Sequence, residues 1–404
     1  MASARHVIIA GAGIAGLTAA LALTRIGLRV TVIEQAAKLE ETGAGIQIGP
    51  NAARVLIALG LRERLAASVM TPQAIRVMAG GSGREIVHIP LGSTVEGRYG
   101  APYWTIHRGD LQAALADAVK TTPDIALKLG TQIEDFAEHV NGITVHAHTD
   151  QRVAEDMAFA LIGADGVWST LRGRLQAHHP PKFRHRTAWR ALIPAEQVAE
   201  QFRQPLVHLW LGLGAHLVHY PVKAGRLINV VAIVHDDWHE YGWSAAGERT
   251  EIMRHFSGFA WDANARALVE LPERWLKWAL YDTAEPFRGG TAPVTLIGDA
   301  AHPMPPFLAQ GAGMAIEDAA VLAAMLAEYG DDPADALRAY EGARWHRAYR
   351  AQQASRRQGR VYGMSGPEAF VRNIAMRAMG GEKLLSRYDW LYSWQPPGRF
   401  ERTS

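Results

Sequence analysis

The chain has 404 residues, of which 48% are hydrophobic and 20% are charged, and its formal net charge is +2. This length predicts two domains that share a large core, and the basic residues are spread too evenly to predict a nucleic-acid or membrane surface. Cysteine is absent, which excludes disulfides, thiolate metal sites and redox-disulfide chemistry, so we expect a cytoplasmic protein without a metal centre.

The first segment predicts a βαβ unit. HVIIA is typical of a buried parallel strand, GAGIAG follows it, LTAALALTRIG has helical periodicity, and RVTVIE closes as a second strand. The uncharged residues 7–23 would also suit the core of a signal peptide. We favour the βαβ interpretation because three glycines interrupt this run and a β-branched strand follows it.

The glycines after the first strand form a dinucleotide-binding pattern. The spacing G-x-G-x-x-G allows a tight turn and brings the main chain close to a pyrophosphate at the helix N-terminus. An acid stands at the end of the second strand, where its carboxylate can accept hydrogen bonds from ribose hydroxyls. The pattern therefore predicts a bound dinucleotide, with the cofactor residues Gly11, Gly13, Ala15, Gly16, Glu34 and Gln35.

Beyond residue 70 the pattern alternates between nucleotide-binding blocks and strand-rich inserts. Short strands are predicted in AIRVMAG and REIVHIP, a helix in HRGDLQAALADAVK, and an apolar strand run in MAFALIGADG. HLWLGLGAHLVHYPVKAGRLINVVAIV predicts a strand pair and TAPVTLIGDA another buried strand. We predict an α/β fold with a discontinuous Rossmann-like domain (1–70, 100–180 and 285–365), an inserted β-sheet-rich domain (71–99 and 181–284) and a C-terminal helical segment (366–404).

A basic stretch, RWHRAYRAQQASRRQGR, covers residues 344–360 with helical periodicity. Its arginines fall on several faces of the predicted helix, so we interpret the stretch as a solvated helix face. Contact between some of these arginines and a cofactor phosphate stays open as the alternative.

Two further motifs make the resemblance to a known family specific. LIGADGVWSTLR (161–172) and LIGDAAHPMPPFLAQGAGMAIEDA (296–319) are similar to the DG and GD motifs of the single-component FAD-dependent aromatic hydroxylases. With GAGIQIGPNA, HRGDL and the glycine pattern, the resemblance covers about residues 5 to 365. Within that group the chain resembles salicylate and hydroxybenzoate hydroxylases most. The resemblance implies a Rossmann-like FAD-binding domain with an inserted substrate domain, and a homodimer.

The resemblance implies roles for several residues around FAD. Asp299 would accept hydrogen bonds from the ribityl hydroxyls, and the helix beginning at Gly311, Ala312 and Gly313 would point its positive end at the flavin. Asp165 would lie near the pyrophosphate, with a simple turn residue as the alternative. The remaining cofactor contacts implied are Arg108, for which a surface salt bridge is the alternative, and Gln112.

Chemistry in this family requires reduction of FAD by NADH or NADPH, formation of a flavin C4a-hydroperoxide with O2, and attack by an electron-rich ring. A phenol reacts faster when ionised, so a base or acceptor beside its hydroxyl is expected. The spacing of His216 and Tyr220 matches that of a pocket-facing His and Tyr in hydroxybenzoate-type members, and an even separation on a strand puts both on one face. His219 has the opposite parity. The apolar run that begins at Pro303 would form a dry wall beside the flavin.

Other candidates are less specific. Gln47 is predicted near the flavin and substrate edge, Phe307 in the substrate wall, and Arg190 against a substrate carboxylate, with a structural or cofactor-side role for Arg190 as the alternative. His302 is predicted either to brace the loop after Asp299 or to transfer a proton. Some relatives place a His or Gln in this loop where the chain has Pro305-Pro306-Phe307, so the ring position that is attacked does not transfer.

Taken together, the residues and the resemblance predict an FAD-dependent monooxygenase that hydroxylates a small phenolic aromatic acid with NADH or NADPH and O2. Alternatives are the same chemistry on a hydroxynicotinate, urate-like or polycyclic ring, a non-oxygenating FAD dehydrogenase, and a non-enzymatic dinucleotide sensor. A disulfide reductase is excluded because cysteine is absent.

Overall fold

The structure is a computed structural model that describes residues 5–39, 44–139, 142–149, 152–176, 180–239, 244–257 and 260–398. Its strands are β1 (His6–Ala10), β2 (Arg29–Ile33), β3 (Gly45–Ile48), β4 (Ala74–Ala79), β5 (Glu85–Pro90), β6 (Trp104–His107), β7 (Ile125–Lys128), β8 (Gln132–His139), β9 (Gly142–Thr149), β10 (Arg152–Ala158), β11 (Ala160–Gly163), β12 (Lys182–Pro194), β13 (Leu206–Leu211), β14 (Ala215–Val222), β15 (Leu227–His235), β16 (Ala245–Gly247), β17 (Trp275–Asp282) and β18 (Val294–Leu296). Its α-helices are α1 (Ile14–Thr24), α2 (Pro50–Ala58), α3 (Arg62–Leu65), α4 (Gly92–Tyr99), α5 (Arg108–Lys120), α6 (Thr170–Leu175), α7 (Arg249–Met253), α8 (Ala263–Glu270), α9 (Gly311–Tyr329), α10 (Pro333–Tyr362), α11 (Gly366–Ser386) and α12 (Asp389–Tyr392).

A five-stranded parallel sheet forms one side of the molecule, in the order β18-β11-β1-β2-β7. In the central strand β1, Val7, Ile8 and Ile9 are fully buried, as expected for a parallel strand that is covered on both faces. The helix α1 packs against α9 and is buried along most of its length, which explains why its sequence is apolar throughout. The predicted βαβ unit and the α/β fold are confirmed.

An eight-stranded sheet forms the other side, in the order β16-β17-β12-β15-β14-β13-β4-β5. All neighbours in it are antiparallel except β13 and β4. The prediction of one strand pair in residues 208–234 was wrong, because two turns divide this stretch into β13, β14 and β15. Gly214 (φ +68°) and Gly225 (φ +84°) adopt the left-handed conformation that these turns require.

The apolar run MAFALIGADG was predicted as one strand run and is divided between two sheets. β10 belongs to a three-stranded sheet with β8 and β9, whereas β11 belongs to the parallel sheet. Between them, the N–H of Phe159 donates a hydrogen bond to the carbonyl of His6. The first residues of the run therefore end β10 and the later ones form β11, because only the later ones pair with β1.

The interpretation of residues 344–360 as a solvated helix face was wrong for the first part of α10. Arg344 is only 3% exposed, and its guanidinium lies 2.7 Å from Glu317 Oε2 and 2.6 Å from Asp318 Oδ1. Arg347 Nε lies 2.6 Å from the same oxygen of Glu317. The helix α9 presents these two buried carboxylates to α10, and each needs a paired cation to offset its desolvation.

The first of the C-terminal helices, α11, lies against the eight-stranded sheet. α11 packs on β5 so closely that a Cβ on Gly381 would lie 1.9 Å from the His88 carbonyl oxygen. Tyr392 of α12 makes edge-to-face contacts with Tyr99 and Tyr103, at centroid distances of 5.5 and 6.1 Å. The segment therefore closes one end of the space between the sheets and the helices.

The two large sheets draw their strands from alternating parts of the chain. Strands of the parallel sheet come from residues 6–33, 125–163 and 294–296, and strands of the eight-stranded sheet come from 74–90 and 182–282. The domain boundaries themselves stay a prediction. Among the described residues, no helix is long and apolar enough to span a membrane, and no cluster of three or more His, Asp or Glu side chains is suited to a metal ion.

Candidate active site

One cavity of about 1170 Å³ runs between the parallel sheet, the eight-stranded sheet and the helices α9, α10 and α11. Its walls are contributed by segments from residue 13 to residue 392. We call its two ends the cofactor cradle, which is formed by the glycine loop, Asp299 and the start of α9, and the substrate end, which is formed by β12, β14 and the loop 303–309.

The glycine loop of the cofactor cradle is packed tightly against neighbouring main-chain atoms on one side. A Cβ on Gly16 would lie 1.9 Å from the Gly11 carbonyl oxygen, and a Cβ on Gly11 (φ +103°) would lie 2.5 Å from the Ala164 carbonyl oxygen. By contrast, a Cβ on Gly13 would meet no atom within 4 Å, and Gly13 and Ala15 line the cavity. The loop is therefore packed tightly against the protein on one side and open to a ligand on the other.

Side chains fix the main chain of this loop from two directions. Glu34 Oε2 accepts a hydrogen bond from the Ala12 N–H (2.8 Å), and Glu34 Oε1 accepts one from the Ala36 N–H (2.9 Å). Gln112 Nε2 donates to the Ala12 carbonyl at 2.9 Å. Glu34 thus holds the loop, and its contact with a ribose stays a prediction, while Gln35 is exposed.

Asp299 lies where β18 passes into the loop before α9. Its side chain is exposed to the cavity, although this part of the cavity is deep in the protein. Burial raises the pKa of Asp299, while the charges of His302, Arg108 and Arg172 oppose the rise. Arg108 also lines the cavity, and burial lowers its pKa.

The N-terminus of α9 stands beside this aspartate. A Cβ on Gly311 would lie 3.7 Å from Asp299 Oδ1, and both Gly311 and Ala312 line the cavity. Gly313 is buried and faces Gln310 instead, because a Cβ there would lie 2.6 Å from the Gln310 Oε1 atom. The structure thus places two of the three predicted helix-start residues at the cavity.

Asp165 holds the turn of the DG motif. Its Oδ2 accepts a hydrogen bond from the Leu171 N–H in the first turns of α6 at 3.3 Å. Its Oδ1 is buried and has no hydrogen-bond partner among the described residues. Burial raises the pKa of Asp165. The neighbours Ala164 and Gly166 line the cavity, whereas Asp165 lies just behind them.

These features fit FAD. The open side of Gly13 and the N-terminus of α1 suit a pyrophosphate, and the cavity-facing carboxylate of Asp299 suits ribityl hydroxyls. The N-terminus of α9 suits the edge of an isoalloxazine ring that carries negative charge when reduced.

At the substrate end, β14 presents His216 and Tyr220 to the cavity. His219 lies on the opposite face and stacks on His208, with ring centroids 4.5 Å apart. The predicted parity of these side chains is confirmed. Burial, and then the charge of Arg186, lowers the pKa of His216 to about 3, so its imidazole is neutral at pH 7. Its Nδ1 is buried without a hydrogen-bond partner in the described structure.

Gln47 links two tyrosines at the boundary between the two ends of the cavity. The Tyr103 hydroxyl donates to Gln47 Oε1 at 2.6 Å, and Gln47 also hydrogen-bonds to Tyr220. Burial raises the pKa of both phenols far above neutral pH. Both tyrosines are therefore uncharged and act only through hydrogen bonds.

Arg190 contributes to the cavity a charge that forms no ion pair with any residue the structure describes. Its guanidinium lies 5.0 Å from the centroid of the Trp278 ring, and its Nε is buried without a hydrogen-bond partner among the described residues. Burial lowers the pKa of Arg190, and its nearest charged neighbours include Asp299 and Arg108. Arg190 thus lies between the substrate end and the cofactor cradle.

The loop after Asp299 forms the predicted apolar wall. Pro303 and Phe307 line the cavity, and Phe307 packs against His216 at a centroid distance of 5.6 Å. His302 is not among the lining residues; its Nε2 lies 2.6 Å from Asp318 Oδ2. This contact favours the bracing role of His302, through a carboxylate rather than through the main chain.

Several residues in or beside the substrate end were not predicted. Arg186 could have been found from its even separation from Arg190 on the same strand. Tyr362 lies 5.1 Å from His216, between ring centroids, and Trp278 lies beneath Arg190. No local motif marks Tyr362, Trp278, Tyr388 or Tyr392, because each is brought to the cavity only by the packing of distant segments.

Comparisons with known proteins agree with this geometry. The profile of the FAD binding domain family matches residues 4–355. The chain is 34% identical to 3-hydroxybenzoate 6-hydroxylase of Klebsiella oxytoca over 395 residues, 98% of each protein. It is 36% identical to 3-amino-4-hydroxybenzoate 2-monooxygenase of Streptomyces cremeus over 388 residues, 96% of this chain and 94% of that protein. A solved salicylate hydroxylase substrate complex superposes with a TM-score of 0.80 at 26% identity, covering 99% and 97% of the two chains.

Proposed function

Because this chain belongs to the FAD binding domain family, whose relatives named above are hydroxylases and a monooxygenase, we propose that it is an FAD-dependent monooxygenase of a small phenolic aromatic acid. The predicted resemblance to FAD-dependent aromatic hydroxylases is confirmed. One observation carries the proposal: a neutral imidazole, and a guanidinium without an ion-pair partner among the described residues, face one apolar cavity that continues from the cofactor cradle. These groups are His216 and Arg190.

The relatives support this choice of substrate. Each of the three is named for a ring that carries both a hydroxyl and a carboxylate. Such a substrate needs a hydrogen-bond partner for the hydroxyl and a cation for the carboxylate. We assign the hydroxyl to His216, with Tyr220 beside it, and the carboxylate to Arg190, whose guanidinium can bind it in a bidentate manner.

When bound, FAD supplies the redox and oxygen chemistry that no side chain of the chain provides, with NADH or NADPH as the source of electrons. The protein positions the cofactor and the substrate, excludes water from the reacting atoms and provides hydrogen bonds. The glycine loop and Asp299 hold the cofactor, and the wall from Pro303 to Phe307 excludes water from the reacting atoms. The neutral His216 accepts a hydrogen bond from the phenol, and the nearby charge of Arg186 favours an ionised oxygen there.

The proposal is tested by coenzyme oxidation in air. Purified protein with FAD is supplied with NADH or NADPH and with 3-hydroxybenzoate, salicylate, 4-hydroxybenzoate, 6-hydroxynicotinate or urate, and the products are identified by mass. We expect a hydroxybenzoate to stimulate oxidation and to gain one oxygen atom. Stimulation by the heterocycles alone would contradict the assignment of a phenolic acid.

The resemblance also supports a homodimer and a cytoplasmic location as proposals. Light scattering during size-exclusion chromatography measures the molar mass directly. A mass near 44.1 kDa, that of one chain, would contradict the dimer.

A further inference from the structure

A second, smaller cavity of about 640 Å³ lies beside the main cavity. Arg357 and Glu368 line both cavities, so the two spaces adjoin. We call this space the antechamber; its charged residues are Arg186, Arg357, Arg360 and Glu368. It lies where β12, the C-terminal half of α10 and the start of α11 meet.

The three arginines of the antechamber are not neutralised. Within the part of the chain that the structure describes, none of them forms an ion pair with a carboxylate, and Glu368 is the one acid that lines the space. Arg186 Nη1 is buried without a hydrogen-bond partner among those residues. Arg357 and Arg360 are exposed and project from the same part of α10.

Neighbouring arginines behave differently. Arg356, adjacent to Arg357 in α10, places its Nε 2.8 Å from Asp282 Oδ2, and Arg184 of β12 pairs with the same aspartate. Acids are therefore available to this region, but they neutralise the arginines that do not face the antechamber. A group of like charges is unfavourable by itself and is stabilised when an anion enters.

The antechamber is close to the reacting groups. The Arg186 guanidinium lies 5.6 Å from the centroid of the Phe307 ring, and that ring lies 5.6 Å from the His216 ring. A Cβ on Gly363 would lie 2.8 Å from Arg186 Nη2. The absence of a side chain at Gly363 therefore leaves room for the guanidinium in its observed position. The Phe307 ring therefore contacts both the antechamber guanidinium and the His216 ring.

The proposed reaction needs a dinucleotide for which the sequence contains no second binding pattern. The chain has one G-x-G-x-x-G, which belongs to the cofactor cradle. A reduced nicotinamide coenzyme carries a doubly charged diphosphate, and arginine guanidinium groups bind phosphate oxygens in a bidentate geometry. The antechamber, with a volume of about 640 Å³, is larger than a single carboxylate requires.

We propose that the antechamber binds the diphosphate of NADH or NADPH through Arg186, Arg357 and Arg360 while the nicotinamide enters the main cavity toward the flavin. The inference rests on the proposed function, because it takes the reduced coenzyme as the source of electrons. It also gives a role to the arginines at the C-terminal end of α10. For this stretch the sequence left two interpretations, a solvated helix face and contact with a cofactor phosphate.

The test compares two double variants of the FAD-loaded enzyme. Arg357→Gln/Arg360→Gln removes two charges from the antechamber, and the control Arg377→Gln/Lys383→Gln removes two exposed charges from α11 outside both cavities. Calorimetric titration with ADP-ribose measures diphosphate binding without turnover. Anaerobic flavin reduction by NADH and NADPH measures coenzyme affinity, and the flavin absorbance change measures affinity for 3-hydroxybenzoate.

We expect the antechamber variant to bind ADP-ribose and coenzyme at least about tenfold more weakly, with a smaller dependence of Kd on salt, while its affinity for 3-hydroxybenzoate is unchanged. The control should match the wild type in all three measurements. Unchanged coenzyme affinity in the antechamber variant would overturn the inference, as would a loss confined to 3-hydroxybenzoate, which would assign the antechamber to substrate entry. If neither coenzyme reduced the wild-type flavin, the proposed function would fail with it.

Discussion

The cofactor cradle and the substrate end of the cavity are built from different atoms. The cradle presents main-chain atoms of a glycine loop and a helix N-terminus, and one carboxylate, Asp299. The substrate end presents side chains from β12, β14, α10 and the loop 303–309. Main-chain sites tolerate almost no change in the residues that shape them, whereas side-chain sites can change specificity while the fold is kept.

The largest effect should come from the glycine loop. In Gly16→Ala the new Cβ would meet the Gly11 carbonyl oxygen at 1.9 Å, so we expect a destabilisation of more than about 3 kcal/mol. Gly13→Ala places its Cβ in open space, so that variant should fold normally and lose FAD only. Thermal unfolding and the ratio of flavin to protein absorbance measure both. Equal stability of the two variants would contradict the division of the loop into a packed side and an open side.

We expect FAD binding in the cradle to depend most on the side chain of Asp299. Asp299→Ala removes the acceptor for the ribityl hydroxyls and leaves Arg108 and Arg172 without its charge. We expect FAD to bind at least about tenfold more weakly, since hydrogen bonds to charged groups contribute about 1.5–3 kcal/mol. Equilibrium dialysis of FAD against the variant checks this. Retention of FAD at wild-type affinity would remove Asp299 from the cradle.

At the substrate end, His216→Ala should keep FAD but lower substrate-stimulated turnover by about 100-fold, because the phenol loses its acceptor. His216→Gln, which retains a carbonyl acceptor, should recover part of the rate. The pKa of His216 is about 3, so its protonation produces no break in the wild-type pH profile near pH 6.5. Normal turnover of the alanine variant at every pH would show that His216 is not the phenol partner.

A smaller effect is expected at Arg190. Arg190→Gln removes the cation but keeps a polar side chain, so KM for a hydroxybenzoate should rise about tenfold with less change in kcat. A fall in FAD affinity with KM unchanged would instead assign Arg190 to the cofactor. Steady-state kinetics together with FAD titration separate these results.

We expect acid to destabilise the protein through the buried histidines of the eight-stranded sheet. Burial lowers the pKa of His208 to about 4 and of His216 to about 3, and it lowers that of His219 as well. Between pH 6.5 and 4 the unfolded chain binds protons that the folded chain does not, so stability falls as the pH falls. Each histidine contributes a slope of at most about 1.4 kcal/mol per pH unit. Denaturant unfolding of wild type and His208→Asn measures the slope, which should be smaller in the variant.

The same comparison explains how much could be predicted from the sequence. The cradle could be predicted almost residue by residue, since the turn at Gly11, the close packing of Gly16 and the strand end at Asp299 are local requirements of the main chain. The exceptions were Gly313, which faces Gln310, Gln35, which is exposed, and Asp165, which lies behind the residues that line the cavity.

At the substrate end, only features with strand periodicity could be predicted. The parity of His216, His219 and Tyr220 followed from the alternation of a strand. The partners of His216 did not, because Arg186 and Tyr362 reach it from β12 and α10. The pairing of Arg344 with buried acids of α9 was missed for the same reason: helical periodicity shows which faces exist but not what packs against them.

The central claim is that the cavity transfers an oxygen atom from O2 to a phenolic acid. The most direct measurement supplies the FAD-loaded enzyme with NADH or NADPH, 3-hydroxybenzoate and ¹⁸O2, and determines the mass of the product. We predict a product that contains one labelled oxygen atom, formed far more slowly by His216→Ala. Coenzyme oxidation that yields only hydrogen peroxide with every phenolic acid, or a product whose new oxygen comes from water, would contradict the account.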